Sequence, residues 1–458
     1  MIRKKTSQQQ ASIWVATDAL QVKPQITFFS KLNKVLEGMK FGQQVRKLCE
    51  PYYSNKPNCR PPIDPEIYFK MLMVGFFENL RSERGIASRC ADSLSIREFL
   101  GYSIIESTPE HSSLSVIRQR LPLSVYSQVF SIALKELKNH GLVKGKNLAF
   151  DTSVMEANAS LSGLQNRMTE ESYAEYIAEL AKQSGINPED KAAVARFDRK
   201  REGRKTSNQE WYNPFDSDAK IGKTKAGATD MLYKPEHVVD LDTGAIVDAD
   251  ILLGDCPDTE DLTERLMDAQ IRLLDISGNP IEEETIETAT ADKGYYNVSE
   301  ITEIQCLGIT TIISDKEINR NTNKLSDEGA TAVELAQSAV KSNKGKELLK
   351  RRGSHVERSF AHVLDCGGER RTTLRGINKN RKRYLIATAT YNLSLLMRTI
   401  FGTGTLKQWV ANSVFAFILV LKSIYSFPKR FFVNFRTVFS IQFFNADILN
   451  LSYKINDF

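Results

Sequence analysis

The sequence predicts an α/β domain that follows an all-α N-terminal part, and three features of its patterning carry this prediction. Apolar residues recur at helical spacing from about residue 28 to residue 140. From residue 147 onward, short β-prone runs alternate with helical segments. A stretch bounded by Gly141 and Gly145 separates the two patterns and predicts a hinge. We therefore expect a mixed sheet with helices on both faces, preceded by a helical region.

The N-terminal part is predicted to consist of short helices joined by tight polar turns. Asp64-Pro65-Glu66 combines a capping aspartate, a first-turn proline and a first-turn acid, which is typical of a helix start. Surface arginines favour a helix-turn-helix type of DNA reader, although an ordinary helical bundle fits the pattern equally well. The arginines concerned are Arg84, Arg89, Arg97, Arg118 and Arg120.

In the second part, the order of the predicted elements is informative. An apolar strand at 147–150 ends at Asp151, and a polar insert follows it. A hairpin then turns at Gly244, and it is followed by a helix, a strand that ends at Asp292, another helix and a buried strand at 309–313. This order is typical of an RNase H-like core, in which the first and fourth strands lie side by side. Asp151 and Asp292 are therefore expected to be neighbours.

We predict three regions along the chain. They are a helical N-terminal domain at 1–140, an RNase H-like domain at 141–400 with a helical insert at about 160–230 and an excursion at about 315–350, and an apolar, aromatic tail at 401–458. Within the insert, the stretch from Trp211 to Lys225 is expected to be loop-like. The clean apolar run in the tail, Val414 to Leu421, is too short to span a membrane, so no membrane association is expected.

Composition favours a globular protein with a polyanionic partner. The 458 residues carry a formal net charge of +6, which is modest but unevenly spread. Between Lys341 and Arg383 there are 14 Lys and Arg residues against four Asp and Glu residues. Beside a carboxylate cluster, such a block favours a partner such as DNA, although a solvated face is the plain alternative. The six cysteines are scattered and no N-terminal signal segment is present, so we expect reduced thiols and a cytoplasmic location.

Three acidic residues stand out because each lies at the end or the head of a predicted element. Asp292 ends the run that starts at Thr288 and is followed by Lys-Gly, and Asp151 ends a second apolar run. Glu357 lies at the head of a predicted helix that Ser354 caps. Three carboxylates with no histidine or cysteine among them form a hard oxygen-ligand site, which suits Mg²⁺ or Mn²⁺. Two such ions can activate the attacking oxygen at a phosphodiester and stabilise the leaving one.

Basic residues around Glu357 would bind and neutralise the phosphodiester backbone. The candidates for DNA contact here are Arg352, Arg358, Arg371, Arg375, Lys379 and Arg381. Each acid also has an ordinary interpretation, because strand-end aspartates often cap turns and Glu357 could be a surface residue paired with Arg351 or Arg352. A further hypothesis is that Asp258, in a loop-like stretch, supports the metal ligands or replaces one of them.

Four motifs in this order resemble the DDE transposases of bacterial insertion sequences, in particular the branch with a helical N-terminal domain. The motifs are Phe150-Asp151-Thr-Ser with Ala157-Asn-Ala-Ser160, Tyr233-Lys-Pro-Glu-His-Val-Val-Asp-Leu-Asp-Thr-Gly244, Ala291-Asp292-Lys-Gly-Tyr295, and His355-Val-Glu357-Arg-Ser-Phe-Ala361. The resemblance covers roughly residues 25–400. The four motifs are specific together, although each is weak alone.

The resemblance implies an RNase H-like transposase in which Asp151, Asp292 and Glu357 bind catalytic Mg²⁺, with Mn²⁺ as the alternative ion. It implies cleavage at the terminal inverted repeats of a mobile element and joining of the freed 3′-hydroxyls to target DNA. It also implies that the N-terminal helices, with their arginines, recognise the element ends. Two copies of the chain would then act together on DNA as a homodimer.

The resemblance is incomplete around Glu357. Many relatives carry a tyrosine and an arginine shortly before this glutamate and a lysine about two turns after it. Here Lys350, Gly353 and Leu364 stand at these positions, so Arg352 and Arg371 would have to serve instead. Two other interpretations stay open, namely a catalytically inert, transposase-derived DNA-binding protein and a simple RNase H-like nuclease. The helical N-terminal domain argues against the nuclease, because a simple nuclease needs no sequence reader.

Overall fold

The computed structural model describes residues 27–53, 63–202, 207–224, 226–257, 261–278, 285–317 and 325–412. The chain divides into a compact unit, Met1–Thr405, and a second unit, Leu406–Phe458, whose described residues 406–412 are helical. The helices are α1 Phe28–Gly38, α2 Phe41–Cys49, α3 Pro65–Phe77, α4 Glu83–Asp92, α5 Leu94–Leu100, α6 His111–Arg120, α7 Leu123–Asn139, α8 Tyr173–Gln183, α9 Lys191–Lys200, α10 Leu262–Ser277, α11 Val298–Cys306, α12 Asp327–Lys341, α13 Asn343–Phe360 and α14 Ile377–Phe401. The strands are β1 Asn147–Thr152, β2 Met155–Glu156, β3 Gln165–Asn166, β4 Trp211–Tyr212, β5 Lys220–Lys223, β6 Thr229–Asp240, β7 Ile246–Leu253, β8 Thr288–Ala291 and β9 Thr310–Ile313.

The N-terminal part is helical, as the apolar spacing predicts. At the start of α3, Asp64 accepts a hydrogen bond from the Glu66 amide and Pro65 is the first helical residue. Buried tyrosines join α3 to α7, because the hydroxyls of Tyr68 and Tyr126 lie 2.7 Å apart. Helices α3 and α7 both pack against α14, so the N-terminal helices and the sheet-containing part belong to one compact unit.

A mixed sheet forms the core of this unit. Strands β7, β6 and β1 are antiparallel neighbours, and β1, β8 and β9 are parallel neighbours. Strands β2 and β5 also pair with β6. The five main strands lie side by side in the order β7, β6, β1, β8, β9. Along the chain these are the third, second, first, fourth and fifth of the five. The RNase H-like arrangement predicted from the sequence is therefore confirmed, including the adjacency of the strands that lead to Asp151 and Asp292.

Helices cover both faces of the sheet, as expected. Successive side chains of a strand point to opposite faces, and β6 shows what lies on each. The Glu236 carboxylate meets Arg265 of α10 at 3.1 Å on one face. On the other face, His237 meets Ser359 near the end of α13 at 2.8 Å. The sheet is thus held between α10 and α13.

The edge strand β7 is covered by α14. The side-chain amide of Asn392 accepts a hydrogen bond from the Ile246 amide at 3.0 Å and donates one to the Ile246 carbonyl at 2.8 Å. Further along the strand, Arg381 donates to the Ile251 carbonyl at 3.0 Å. These contacts satisfy backbone groups that an open edge would otherwise offer to another strand.

The predicted start of the helix that carries Glu357 is wrong. Helix α13 begins after Ser342, whose hydroxyl accepts a hydrogen bond from the Gly345 amide at 2.9 Å, and Ser354 lies within the helix. Glu357 is therefore near the C-terminal end of α13. The physical reason is that the Lys- and Arg-rich run before Glu357 has few apolar residues to mark it as helical, while Ser342 caps the helix in the same way as the sequence suggested for Ser354.

The predicted loop from Trp211 to Lys225 is also wrong in part, because this segment contains β4 and β5. Strand β5 is short and polar, and it is extended because it pairs with β6, Ile221 opposite Met231. Asp258 and tail residues 413–458 lie outside the described residues. Among the helices that are described, none is both long and apolar enough to cross a membrane.

Candidate active site

Asp151 and Asp292 lie side by side at one edge of the sheet. Phe150 on β1 is in parallel register with Ala291 on β8. The residues that follow them in the chain are Asp151 and Asp292, which therefore lie next to each other. The Asp151 side chain is mostly shielded at 23% exposure, whereas Asp292 is 55% exposed. Asp292 begins a short 3₁₀ turn without a capping hydrogen bond from its side chain. The capping interpretation of Asp292 is therefore wrong, and its carboxylate is more than half exposed.

One guanidinium lies between the two aspartates. Nη2 of Arg352 on α13 donates to Oδ2 of Asp151 at 2.8 Å, and Nη1 lies 3.9 Å from Oδ1 of Asp292. The Arg352 side chain is only 17% exposed, and its buried Nε has no hydrogen-bond partner among the described residues. The two carboxylates thus converge on a single cation that is largely withdrawn from water.

Glu357 is exposed on the same helix and does not meet the aspartate pair. It follows Arg352 by five residues, which at 3.6 residues per turn places the two side chains about 140° apart around α13. The Glu357 side chain makes no hydrogen bond or ion pair with other described residues. Its predicted alternative pairing is wrong, because Arg351 binds Asp242 and Glu347 while Arg352 binds Asp151. The structure therefore brings two of the three predicted acids together.

A buried chain of hydrogen bonds fixes α13 over the aspartate side of the sheet. The Tyr384 hydroxyl lies 2.6 Å from Nε2 of His237, and Nδ1 of His237 lies 2.8 Å from the Ser359 hydroxyl. Since Ser359 donates to the Val356 carbonyl, His237 donates from Nδ1 and accepts at Nε2. His237 also stacks on Phe360, with 4.1 Å between ring centroids.

His237 has a structural role in the site. It lies directly opposite Asp151 in the β1–β6 register, so it sets the height of α13 above the aspartates. Complete burial lowers the pKa of His237 to about 3, and the imidazole is therefore neutral at any pH near 7. A neutral, fully hydrogen-bonded imidazole positions the helix and exchanges no protons with a substrate.

Two family models match the chain. One, described as Transposase domain (DUF772), matches residues 17–120, and the other, described as Transposase DDE domain, matches residues 198–393. The chain belongs to the DDE transposases of insertion sequences. The second match contains Asp292 and Glu357, whereas Asp151 lies between the two matched ranges. No curated protein and no solved structure matches the chain.

Family membership sets the class of chemistry. DDE transposases are enzymes that cleave and join DNA strands, so DNA is the substrate class of this transposase. Enzymes of this family generally use divalent metal ions. No three His, Cys, Asp or Glu side chains within the described ranges are arranged to hold a metal ion. The aspartate pair nevertheless fits such an ion, because two hard oxygen donors already converge on a cation, the Arg352 guanidinium.

The C-terminal basic residues of the transposase separate into exposed and structural groups. Those exposed are Arg358, Arg371, Arg375 and Lys379. Arg375 lies over the ring of Phe215 at 5.5 Å, and Phe215 is itself 65% exposed. Arg381 is half-buried and is paired with Asp250 at 2.8 Å besides its bond to β7. Arg381 is thus engaged in covering the sheet edge, and we do not include it in the proposed DNA surface.

The N-terminal arginines that were predicted to contact DNA also divide into exposed and buried residues. Arg84 is exposed, and Arg89 is half-exposed in a bidentate pair with Glu78. Arg97 is buried at 8% exposure and donates to the carbonyls of Ala91 at 3.2 Å, Ser103 at 2.6 Å, Ile104 at 3.1 Å and Glu106. Because its guanidinium binds four backbone carbonyls, Arg97 stabilises the turn after α5. We therefore do not propose it as a DNA contact.

The sequence did not single out the residues that support the site. His237, Ser359 and Tyr384 lie far apart in the chain and meet only in the folded protein. Arg370 was likewise counted only as part of a basic block, yet it donates to the Val154 carbonyl at 3.0 Å and so holds the segment that follows Asp151. The one available signal was His237 itself, a polar residue next to Val238 and Val239 on β6.

Proposed function

We propose that Asp151, Asp292 and Glu357 together bind catalytic Mg²⁺, or Mn²⁺, and that the transposase uses this site to cleave DNA at the terminal inverted repeats of its element. The observation that carries the proposal is the convergence of Asp151 and Asp292 on one cation at the ends of adjacent parallel strands. Strand transfer of the freed 3′-hydroxyls into target DNA, by a homodimer on two ends, completes the proposed reaction.

Each part of the proposed site has a defined task. The bound ion would activate an attacking oxygen and stabilise the oxygen that leaves the phosphodiester. Asp151 and Asp292 are pre-positioned for it because the sheet register fixes their backbones. Glu357 would supply a third oxygen ligand after its side chain changes rotamer or the C-terminal end of α13 moves. It is available for this because its side chain has no partner among the described residues. His237 and Ser359 keep the helix seated while this happens.

The exposed basic residues offer a path for DNA beside this site. Residues 370–373 run alongside 153–158, the segment that leaves Asp151, through a backbone bridge between Glu156 and Arg371. Arg371 and Arg375 on this run are exposed, which suits phosphate contacts. Arg358 and Lys379 extend the positive surface, and Arg84 and Arg89 are the proposed N-terminal contacts to the element ends.

The experiment that tests this function uses the DNA that flanks the reading frame. Purified transposase is incubated with a duplex that carries the flanking inverted repeat and Mg²⁺, and the 3′ ends are mapped. Cuts at the repeat boundary that need both the metal and the repeat are expected. Metal-dependent cuts without any repeat requirement would indicate a simple nuclease, and binding without cuts would indicate an inert DNA-binding protein.

We expect Arg375→Ala to weaken DNA binding by about the same factor for every sequence, because a phosphate contact carries no base information. Loss of one such contact should reduce the slope of log affinity against log salt concentration by about one. Fluorescence anisotropy on repeat-containing and scrambled duplexes, between 50 and 200 mM salt, measures both quantities.

The matched control for Arg375→Ala is Lys182→Ala. Lys182 is an exposed cation on α8 of the insert. We expect the control to leave affinity and salt slope unchanged. A loss of binding confined to the repeat-containing duplex would show that Arg375 reads bases, and it would contradict the phosphate assignment.

A further inference from the structure

Arg352 occupies the place where a metal-binding pair of aspartates would hold its ion. Its guanidinium lies 2.8 Å from Asp151 and 3.9 Å from Asp292, and the side chain is mostly buried. Its two Nη atoms face the two carboxylates, and its buried Nε has no hydrogen-bond partner among the described residues. The guanidinium is therefore held mainly by the two carboxylates.

Electrostatics explains why a cation is needed here. Two carboxylates at the ends of adjacent strands repel each other, and partial burial strengthens that repulsion. One guanidinium between them offsets this repulsion and keeps the two acids aligned. A divalent ion would do the same with more charge, but it needs the same oxygen lone pairs. The guanidinium and a metal ion therefore compete for one position.

We propose that Arg352 is an internal counter-cation, which holds Asp151 and Asp292 ready in the metal-free protein and is displaced when a divalent ion enters. This inference rests on the proposed function, since it takes the aspartate pair as the metal site. The displaced guanidinium stays on α13 beside the site, where a planar pair of N–H donors suits a phosphate group. Metal entry and DNA binding would then favour each other through one side chain.

The neighbouring Arg351 provides a control within the same helix. Arg351 binds Asp242 at 3.0 Å and Glu347 at 2.6 Å, and neither acid belongs to the aspartate pair. Replacing it removes one positive charge from the same part of α13 without touching the proposed competition. Any effect of Arg352 that Arg351 does not share is therefore specific to the aspartate contacts.

The first test is a Mn²⁺ titration in which the free ion is followed by electron paramagnetic resonance. We expect Arg352→Ala to bind Mn²⁺ about tenfold more tightly than the wild-type protein. In the variant the ion no longer has to displace the guanidinium, whose charge-assisted hydrogen bond to Asp151 accounts for about this factor. Arg352→Lys, which keeps the charge but not the planar fork, should fall between the two, and Arg351→Ala should match the wild type. Adding Asp292→Asn to Arg352→Ala should abolish the gain.

The second test measures DNA affinity with and without Ca²⁺, using the element-end duplex. We expect Ca²⁺ to tighten DNA binding by the wild-type protein and to have a smaller effect on Arg352→Ala. If Arg352→Ala binds Mn²⁺ no more tightly than the wild type, the counter-cation proposal is wrong. If Asp151→Asn and Asp292→Asn both bind Mn²⁺ like the wild type, the metal site itself is elsewhere, and the proposed function fails for a separate reason.

Discussion

Replacing Asp292 with Asn should lower cleavage at the element ends about a thousandfold or more while leaving DNA binding in the absence of metal ions intact. Metal-ion catalysis is worth several kcal/mol, and each 1.4 kcal/mol is a factor of ten in rate. Asn keeps the shape of the side chain but removes the charge that would hold the ion. Since Asp292 is 55% exposed, its replacement should not disturb the fold. Single-turnover cleavage and anisotropy on the same duplex separate the two effects.

The same result is expected for Asp151→Asn and Glu357→Gln. A matched control for Glu357→Gln is Glu347→Gln, which changes another exposed acid on α13 that pairs with Arg351. The control should cut normally. Normal cutting by Glu357→Gln together with inactive aspartate variants would show that the third ligand is a different residue. Normal cutting by all three variants would remove the metal site from this part of the sheet.

The positions of the aspartates were predictable because they follow from local pattern and from chain topology. Apolar strands that end at Asp151 and Asp292 are visible in the sequence, and the RNase H-like order makes the two strands neighbours. The contacts of Arg352 were not predictable in the same way. They depend on the rotation of α13 about its axis and on its height above the sheet, and these are set by buried contacts such as that of His237 with Ser359.

Charged residues were the least predictable part of the site for a related reason. In a sequence, Arg84 and Arg97 look alike, since both follow polar turns in short helices. In the folded protein, one is exposed and the other is buried among the carbonyls of the turn after α5. Whether an arginine serves the backbone or a partner depends on the acceptors that the fold brings to it, and these come from non-local packing.

Breaking the buried ion pair between α10 and β7 should cost much more stability than breaking an exposed ion pair. Nη2 of Arg272 lies 2.8 Å from Oδ1 of Asp248, and both side chains are mostly buried. Arg272 also donates to the hydroxyl of Ser131 on α7 at 3.0 Å and lies over the Phe130 ring at 5.0 Å. It therefore connects the N-terminal helices with the edge of the catalytic sheet.

We expect Arg272→Met to lower the free energy of unfolding by about 3–5 kcal/mol, because it leaves the Asp248 carboxylate buried without its partner. Burial raises the pKa of Asp248 and Arg272 opposes this, so the variant should take up a proton there at higher pH than the wild type does. Urea unfolding followed by circular dichroism measures the loss, and it should shrink as the pH is lowered and Asp248 becomes neutral.

Two further variants decide whether this loss of stability comes from the Asp248 carboxylate that is left buried without a partner. Lys146→Met breaks an exposed pair with Glu287, with N and O 3.0 Å apart, and should cost less than about 1 kcal/mol. The double variant Arg272→Met/Asp248→Leu removes both charges and should recover most of the stability lost in the single variant. If the double variant is as unstable as Arg272→Met, the contacts of Arg272 with α7, rather than the buried carboxylate, are what hold the N-terminal helices on the sheet.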